Sequence, residues 1–231
     1  RPIRNTGGFM NSSKIDWLKE GSNGLLTQEI VSTVSGLPTT LITQLNLPQN
    51  GGQMSWKTKT INPEDENNMS RMYWHNNYDN FDIYAIIVIE SPDDRQTTMY
   101  PAHDDYAQIW LNGEKVYDNK DWTGGATRVT SPTDIYLNQG SNVLLFRCGE
   151  GGGQDYFNLH FGASDDDLKI YPSPNGNIPL FGQAVLSADQ GKIETIGKTF
   201  EINLNVFTSE KLHSYTFDLL FDPSVLKLIE V

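Results

Sequence analysis

The chain has 231 residues, 37% of them hydrophobic and 11% aromatic, enough to bury one large core or two modest ones and too apolar for global disorder. It carries 17 Lys and Arg against 29 Asp and Glu, a formal net charge of −12. That balance argues against nucleic acid, whose phosphates need clustered cations, and against a polybasic membrane-surface role. A single cysteine, Cys148, excludes an internal disulfide and any paired-cysteine metal site. No window reaches ~18 consecutive apolar residues, so no membrane-spanning helix is expected. Arg1 to Met10 lacks the apolar stretch of a signal peptide, and the chain reads as a mature or trimmed one.

Short alternating runs separated by Asn, Gly, Ser, Thr and Pro predict many strands and few helices, hence an all-β sandwich or barrel. The one helix expected covers residues 26–33. Residues 84–90 are almost continuously apolar, as in a strand buried on both faces or one in a sandwich core. Strands at 107–111 and 115–117 flank Asn112-Gly113, the strongest hairpin signal in the chain. Further strands are expected at 134–137, 142–148 and 156–161, the last alternating so that one face is buried and one wet. Asp165-Asp166-Asp167 and the Pro- and Gly-rich stretch after them predict a linker. Beyond it, 200–207 and 215–221 read as strands, Asp222-Pro223-Ser224 as a turn, and 226–231 as the start of another strand. So few strands would leave open edges and an uncovered apolar face.

The paired carboxylates of Asp104 and Asp105 fall where a loop meets a strand. They are hard-oxygen ligands suited to Ca²⁺ and acceptors for sugar hydroxyls; equally, they can solvate a loop and cap a turn. Aromatic side chains offer ring faces to the apolar side of a sugar. Trp122 lies beside glycines in a loop, where stacking on a ligand competes with local packing. Trp74, in an aromatic and amide-rich stretch, is open to the same two readings, and Trp110 is either core or outward-facing. Trp17 and Trp56 read as structural. The glycine run at 151–153 has no following helix or Lys and so is no phosphate cradle. Glu150, Gln154 and Asp155 would be polar contacts on the rim of a binding loop, or part of a plain turn. No nucleophile elbow is present, and His75, His103, His160 and His213 show no helical metal pair. Cys148, inside an apolar strand, reads as a buried small hydrophobe. No catalytic residue is expected.

The pattern Asp104-Asp105-x-x-x-x-Trp110-Leu111-Asn112-Gly113-x-x-Val116 resembles extracellular β-sandwich domains of the galactose-binding-like type, and its aspartate pair resembles a motif of the sugar-binding PA14 jelly rolls. Tyr136 to Phe146 resembles the penultimate strands of such modules, and Gly151-Gly152-Gly153 with Tyr156 to Leu159 their final loop and strand. Ile15-Asp16-Trp17-Leu18 resembles their opening strand. The resemblance spans roughly residues 10–163. It implies Ca²⁺ held by Asp104 and Asp105 together with later loop residues, with the metal in turn holding a sugar. Tyr106 stands where a small residue is usual, and Asn119 or Asp121 could add oxygen. Residues 197–226, with Phe221-Asp222-Pro223-x-x-Leu226, resemble the first third of cohesin modules.

The expectation is therefore an all-β protein, secreted or at the cell surface. It comprises a galactose-binding-like jelly-roll β-sandwich over 1–165, a linker over 166–179, and an incomplete cohesin-like segment over 180–231. The expected function is non-catalytic binding of a glycan or polysaccharide, calcium-assisted, through Trp122, Asp104, Asp105, Trp74, Glu150 and Gln154. The alternative is a structural or adhesion spacer acting through protein contacts or self-association of its C-terminal segment.

Overall fold

The computed structural model describes residues 2–5, 9–73, 79–119 and 129–172, together with the backbone of 183–188 and 202–207. The elements run β1 (Ile3–Arg4), α1 (Phe9–Ser12), α2 (Trp17–Gly21), α3 (Gln28–Val31), α4 (Leu37–Ile42), β2 (Leu45–Leu47), β3 (Gly52–Met54), α5 (Asn68–Arg71), β4 (Phe81–Ser91), β5 (Arg95–Asp104) and β6 (Tyr106–Leu111). They continue with β7 (Glu114–Asn119), β8 (Val129–Thr130), β9 (Thr133–Leu137), β10 (Gly140–Glu150), β11 (Tyr156–Phe161), β12 (Lys169–Pro172), β13 (Gln183–Ala188) and β14 (Ile202–Phe207). None of the described helices is long and apolar enough to cross a membrane.

The fold is all-β. A six-stranded antiparallel sheet has the order β1-β4-β10-β6-β7, with β12 also on β4; a four-stranded sheet has the order β11-β5-β8, with β9 also on β5. Both β1 and β12 lie on the same edge of β4, β1 against Phe81 and Asp82 and β12 against residues 87–90. The stretch read as a linker thus contributes a strand at Lys169–Pro172; residues 173–179 lie outside the described residues. Farther along, β13 and β14 form an antiparallel pair of their own, and residues 208–231, including the strand expected at 215–221, lie outside the described residues.

Alternation along the long strands divides two cores. Ile83, Ile89, Ile109, Leu144, Phe146 and Cys148 point from the six-stranded sheet onto Met99, Ile135, Leu137 and Phe157 of the four-stranded one. Ile86, Val88, Trp110, Val143 and Leu145 point the other way, onto Trp17, Leu18, Leu26, Val31 and Leu37 of the N-terminal segment. The unbroken apolar run of β4 is explained by this second cover: both faces of the sheet are buried. Asn112 and Gly113 take φ of 51° and 92°, the paired left-handed values of a tight hairpin turn.

The N-terminal segment corrects one expectation. Residues 15–18 are not a strand: Asp16 caps α2, accepting from the backbone N–H of Leu18 at 3.0 Å and of Lys19 at 3.1 Å. Its other oxygen takes the Gln28 N–H at 3.1 Å. An aspartate followed by exposed helix donors favours the cap over a ladder. The expected helix at 26–33 forms over Gln28–Val31, capped by Thr27.

A buried polar knot joins this segment to the sheet. Arg147 and Asp82, 1% and 0% exposed, lie 3.4 Å apart. Arg147 donates to the carbonyls of Ser12 at 2.6 Å and Ile15 at 2.9 Å. The Asp82 carboxylate accepts from Ser12 Oγ, Tyr106 Oη and, at 2.9 Å, the Trp17 indole. The rings of Tyr84 and Tyr106 flank the guanidinium at 5.3 and 5.6 Å. Gly149 is required beside it, since a Cβ there would stand 1.8 Å from Tyr106 Cε1 and 2.6 Å from Asp82 Oδ1. Replacing Asp82→Ala strands a buried guanidinium, and the expected loss is about 3–5 kcal/mol of unfolding free energy. Gly149→Ala should be destabilising by about 1–3 kcal/mol through overpacking. Denaturant midpoints measure both; a midpoint unchanged in Asp82→Ala would show that the knot holds nothing.

Candidate functional site

Two strand ends meet at one end of the sandwich. The chain leaves the four-stranded sheet at Asp104, the last residue of β5, and enters the six-stranded sheet at Tyr106, the first of β6. Asp104 and Asp105 form this corner, joined by a cis peptide bond. The corner is pinned to the end of β10: the Asp105 N–H donates to the Gly149 carbonyl at 3.1 Å, and the Gly151 N–H donates to Asp105 Oδ2 at 2.8 Å. Tyr156, the first residue of β11, pairs with Asp104. Glu150 closes β10, and Asp155 directly precedes β11.

Four acidic side chains are thereby drawn out of water. Asp104, Asp105, Glu150 and Asp155 are 3%, 5%, 0% and 0% exposed. Asp155 is well partnered: it accepts from the Ser70 N–H at 2.8 Å and from the Ser70 hydroxyl. The amide of Asn68 brackets the Phe157 backbone at 2.9 and 3.1 Å, which docks α5 onto β11. Burial still raises the Asp155 carboxyl to about 6, against the lowering effect of the Ser70 bonds. Glu150 has no such support. Neither of its carboxylate oxygens makes a well-formed hydrogen bond, and the nearby Gly152 N–H lowers its pKa only weakly against the other effects. Desolvation first, then the charges of Asp105, Asp155 and Asp104, push the Glu150 carboxyl up to about 10.

A buried carboxyl in this state is costly. Taking a proton relieves it. Among the described residues, no group of three or more His, Cys, Asp or Glu side chains is placed so that it could hold a metal ion.

The other expected site residues are distributed as follows. Gln154 is half-buried in the loop between Glu150 and Asp155. Trp122, Trp74 and Asp121 lie outside the described residues, and Asn119 ends β7 opposite Ala107. Trp110 is core, 2% exposed, and Trp17 serves the Arg147 knot. Cys148 is buried and free, its thiol pushed well up by burial. Two groups at this end were missed from the sequence, the burial of Glu150 and that of His103. Parity carries the signal for both. Glu150 continues the inward row Leu144, Phe146, Cys148, and His103 continues the row Thr97, Met99, Pro101.

No protein-family model matches the chain, and no curated protein does. Among solved structures, a family 35 carbohydrate binding module from Clostridium thermocellum is similar over 55% of this chain and 85% of its own length, at 17% sequence identity and a TM-score of 0.21. A likeness that loose carries no argument about ligand.

The Glu150 carboxyl makes a pH prediction for metal-free protein. A carboxyl whose folded pKa lies above its unfolded value gives full stability below the unfolded value and loses it as pH climbs through the folded one. Wild-type protein in chelator should therefore lose stability steadily from pH 7 to pH 9, a window above the Asp155 value of about 6 and below the Glu150 value of about 10. Glu150→Gln should be flatter over that range and more stable than wild type at pH 8 by about 1–3 kcal/mol. Thermal melts across the series decide it: parallel slopes for the two proteins would show that Glu150 does not titrate there.

Proposed function

We propose that the sandwich of residues 3–172 is a non-catalytic, extracellular carbohydrate-binding module whose site is the Asp104–Asp105 corner, with Ca²⁺ as its cation. The observation that carries the reading is the Glu150 carboxylate, fully buried, without a well-formed hydrogen bond and facing the charges of Asp105 and Asp104. Asp104 and Asp105 would hold the ion, with the Glu150 carboxylate adding negative charge beside them. When bound, Ca²⁺ supplies a hard positive centre with coordination positions to spare, which the hydroxyl oxygens of a sugar can fill. The protein's part is to fix the carboxylates before the ion arrives. Backbone bonds from Asp105 to Gly149 and from Gly151 to Asp105 do this, and they also place the exposed Gly152-Gly153 turn beside the corner. In this reading Gln154 reads sugar hydroxyls and Trp122 and Trp74 supply ring faces. A shallow site of this kind binds at about millimolar, roughly 4 kcal/mol.

A glycan and polysaccharide array run in Ca²⁺ and again in EDTA tests it. Binding that is present in Ca²⁺, absent in EDTA and abolished by Asp105→Asn is the expected result. Binding that survives EDTA would move the site to the aromatic residues. No binding from folded protein in either buffer would overturn the carbohydrate reading in favour of the spacer.

A further inference from the structure

The four-stranded sheet has a second face, away from the core. Along β5, Thr97, Met99 and His103 are buried, so Gln96, Thr98 and Tyr100 point the other way. On β9, Ile135 and Leu137 are core, while Asp134 and Tyr136 are exposed. On β11, Phe157 is core and His160, of opposite parity, is exposed. The ladders set these outward residues side by side in three pairs: Tyr136 with Gln96, Asp134 with Thr98, and His160 with Tyr100.

The pairs are rich in rings and poor in charge. Tyr136 is 57% exposed, more than any packing role requires. The rings of Tyr100 and His160 stack, with centroids 4.9 Å apart and planes within 7°, so each holds the other in place without help from the core. About 14 Å of strand separates this stack from the Tyr136 pair. Between them lie a hydroxyl and the one carboxylate, Asp134, which accepts from Thr98 Oγ1 at 2.7 Å. Arg95, next along β5, turns its guanidinium to Asp93 and Asp167. In a chain of net charge −12, the three pairs therefore offer no cation to an acidic ligand and one occupied anion to a basic one. A protein partner would find no aliphatic side chain among them to build a dry centre. Rings, an amide and hydroxyls match a neutral polyhydroxy surface.

Shape narrows the ligand further. The three pairs sit on a continuous three-stranded ladder, β11-β5-β9, which encloses nothing. Sites for single soluble molecules are concave and bury most of the ligand. An open face gains enough contact only against a surface as extended as itself, where several rings engage at once.

We propose that the outer face of the four-stranded sheet, through Tyr136, Tyr100 and His160, binds the surface of a neutral, ordered, insoluble polysaccharide. This face needs neither the Asp104–Asp105 corner nor an ion, and it has little purchase on the separate chains of an array.

The test is depletion of the full chain from solution by microcrystalline cellulose, chitin and insoluble xylan, all in EDTA, with cross-linked polygalacturonate as the anionic control. Wild type and Asp105→Asn should be depleted alike by at least one neutral solid, and not by the control. Tyr136→Ala should raise the half-saturation concentration about 5-fold, and Tyr136→Ala combined with His160→Ala about 20-fold. Both substituted side chains are exposed, so thermal melts should stay at the wild-type midpoint. Soluble oligosaccharides of the same sugar should not compete. The proposal is overturned if no neutral solid depletes the protein, if the ring variants bind as wild type does, or if polygalacturonate binds as tightly. Sedimentation showing a dimer that Tyr136→Ala dissolves would also overturn it, making the face a contact between copies. None of these outcomes bears on the corner, whose binding is read in Ca²⁺ on soluble glycans.

Discussion

The guanidinium of Arg147, buried with Asp82, dictates how the N-terminal segment lies on the sheet. A charge 1% exposed must find its partners inside the protein. Arg147 finds them in the carbonyls of Ser12 and Ile15 as well as in Asp82. Those carbonyls belong to the segment just before α2, so docking of that segment is what gives the two Nη groups their partners. Asp82 makes the same demand from the other side through Ser12, Trp17 and Tyr106. An ion pair this deep contributes little net stability compared with apolar packing. Its effect is to make every other arrangement of the segment expensive. The apolar contacts of Leu18, Leu26, Val31 and Leu37 then cover the outer face of the sheet.

The knot and the candidate site share a wall. Tyr106, which donates to Asp82, directly follows Asp105, and Gly149, which the Tyr106 ring overlies, receives the Asp105 N–H and directly precedes Glu150. Glycine at 149 lets the ring and the strand approach closely enough for the corner to close. Glu150, the next residue, is buried and feels the charge of Asp105. The energetic frustration of that carboxylate thus lies directly beside the knot. Of the two buried acids flanking the loop, Asp155 is relieved by α5 through Ser70, and Glu150 is not. One is a structural fastening; the other awaits a proton.

Local rules made the strands readable. Alternation placed β6, β7, β9, β10 and β11, and Asn112-Gly113 placed the hairpin, because each depends on neighbours two or fewer residues apart. The two-sided burial of β4 was legible for the same reason, although what lay on the far face was not. The helices were harder. At four to six residues each they are too short to show a period, and Asp16 was read within a strand because its capping partners are backbone groups with no sequence signature. At the site, the paired aspartates stood out by type and position. Glu150 was noticed for its loop and not for its burial, which follows from the parity of β10. His103 gave no motif at all; its Nε2 partner, the Tyr117 hydroxyl, becomes its neighbour only when the two sheets stack.

The placement of β1 and β12 on one edge of β4 has a mechanical side. Ile3 sits against Asp82 and Pro172 against Ile87, so the chain begins and ends this sandwich about 17 Å apart along a single strand. Roughly 170 residues make an excursion and return almost to their starting point. Pulled from both sides, such a unit hangs beside the line of tension and adds little to its length. The pull passes through a few residues of β4 and the two short ladders that clasp it, and those ladders would peel first. The corner at Asp104 and Asp105, set in strands that take no part in that path, would keep its shape while the chain around it was stretched.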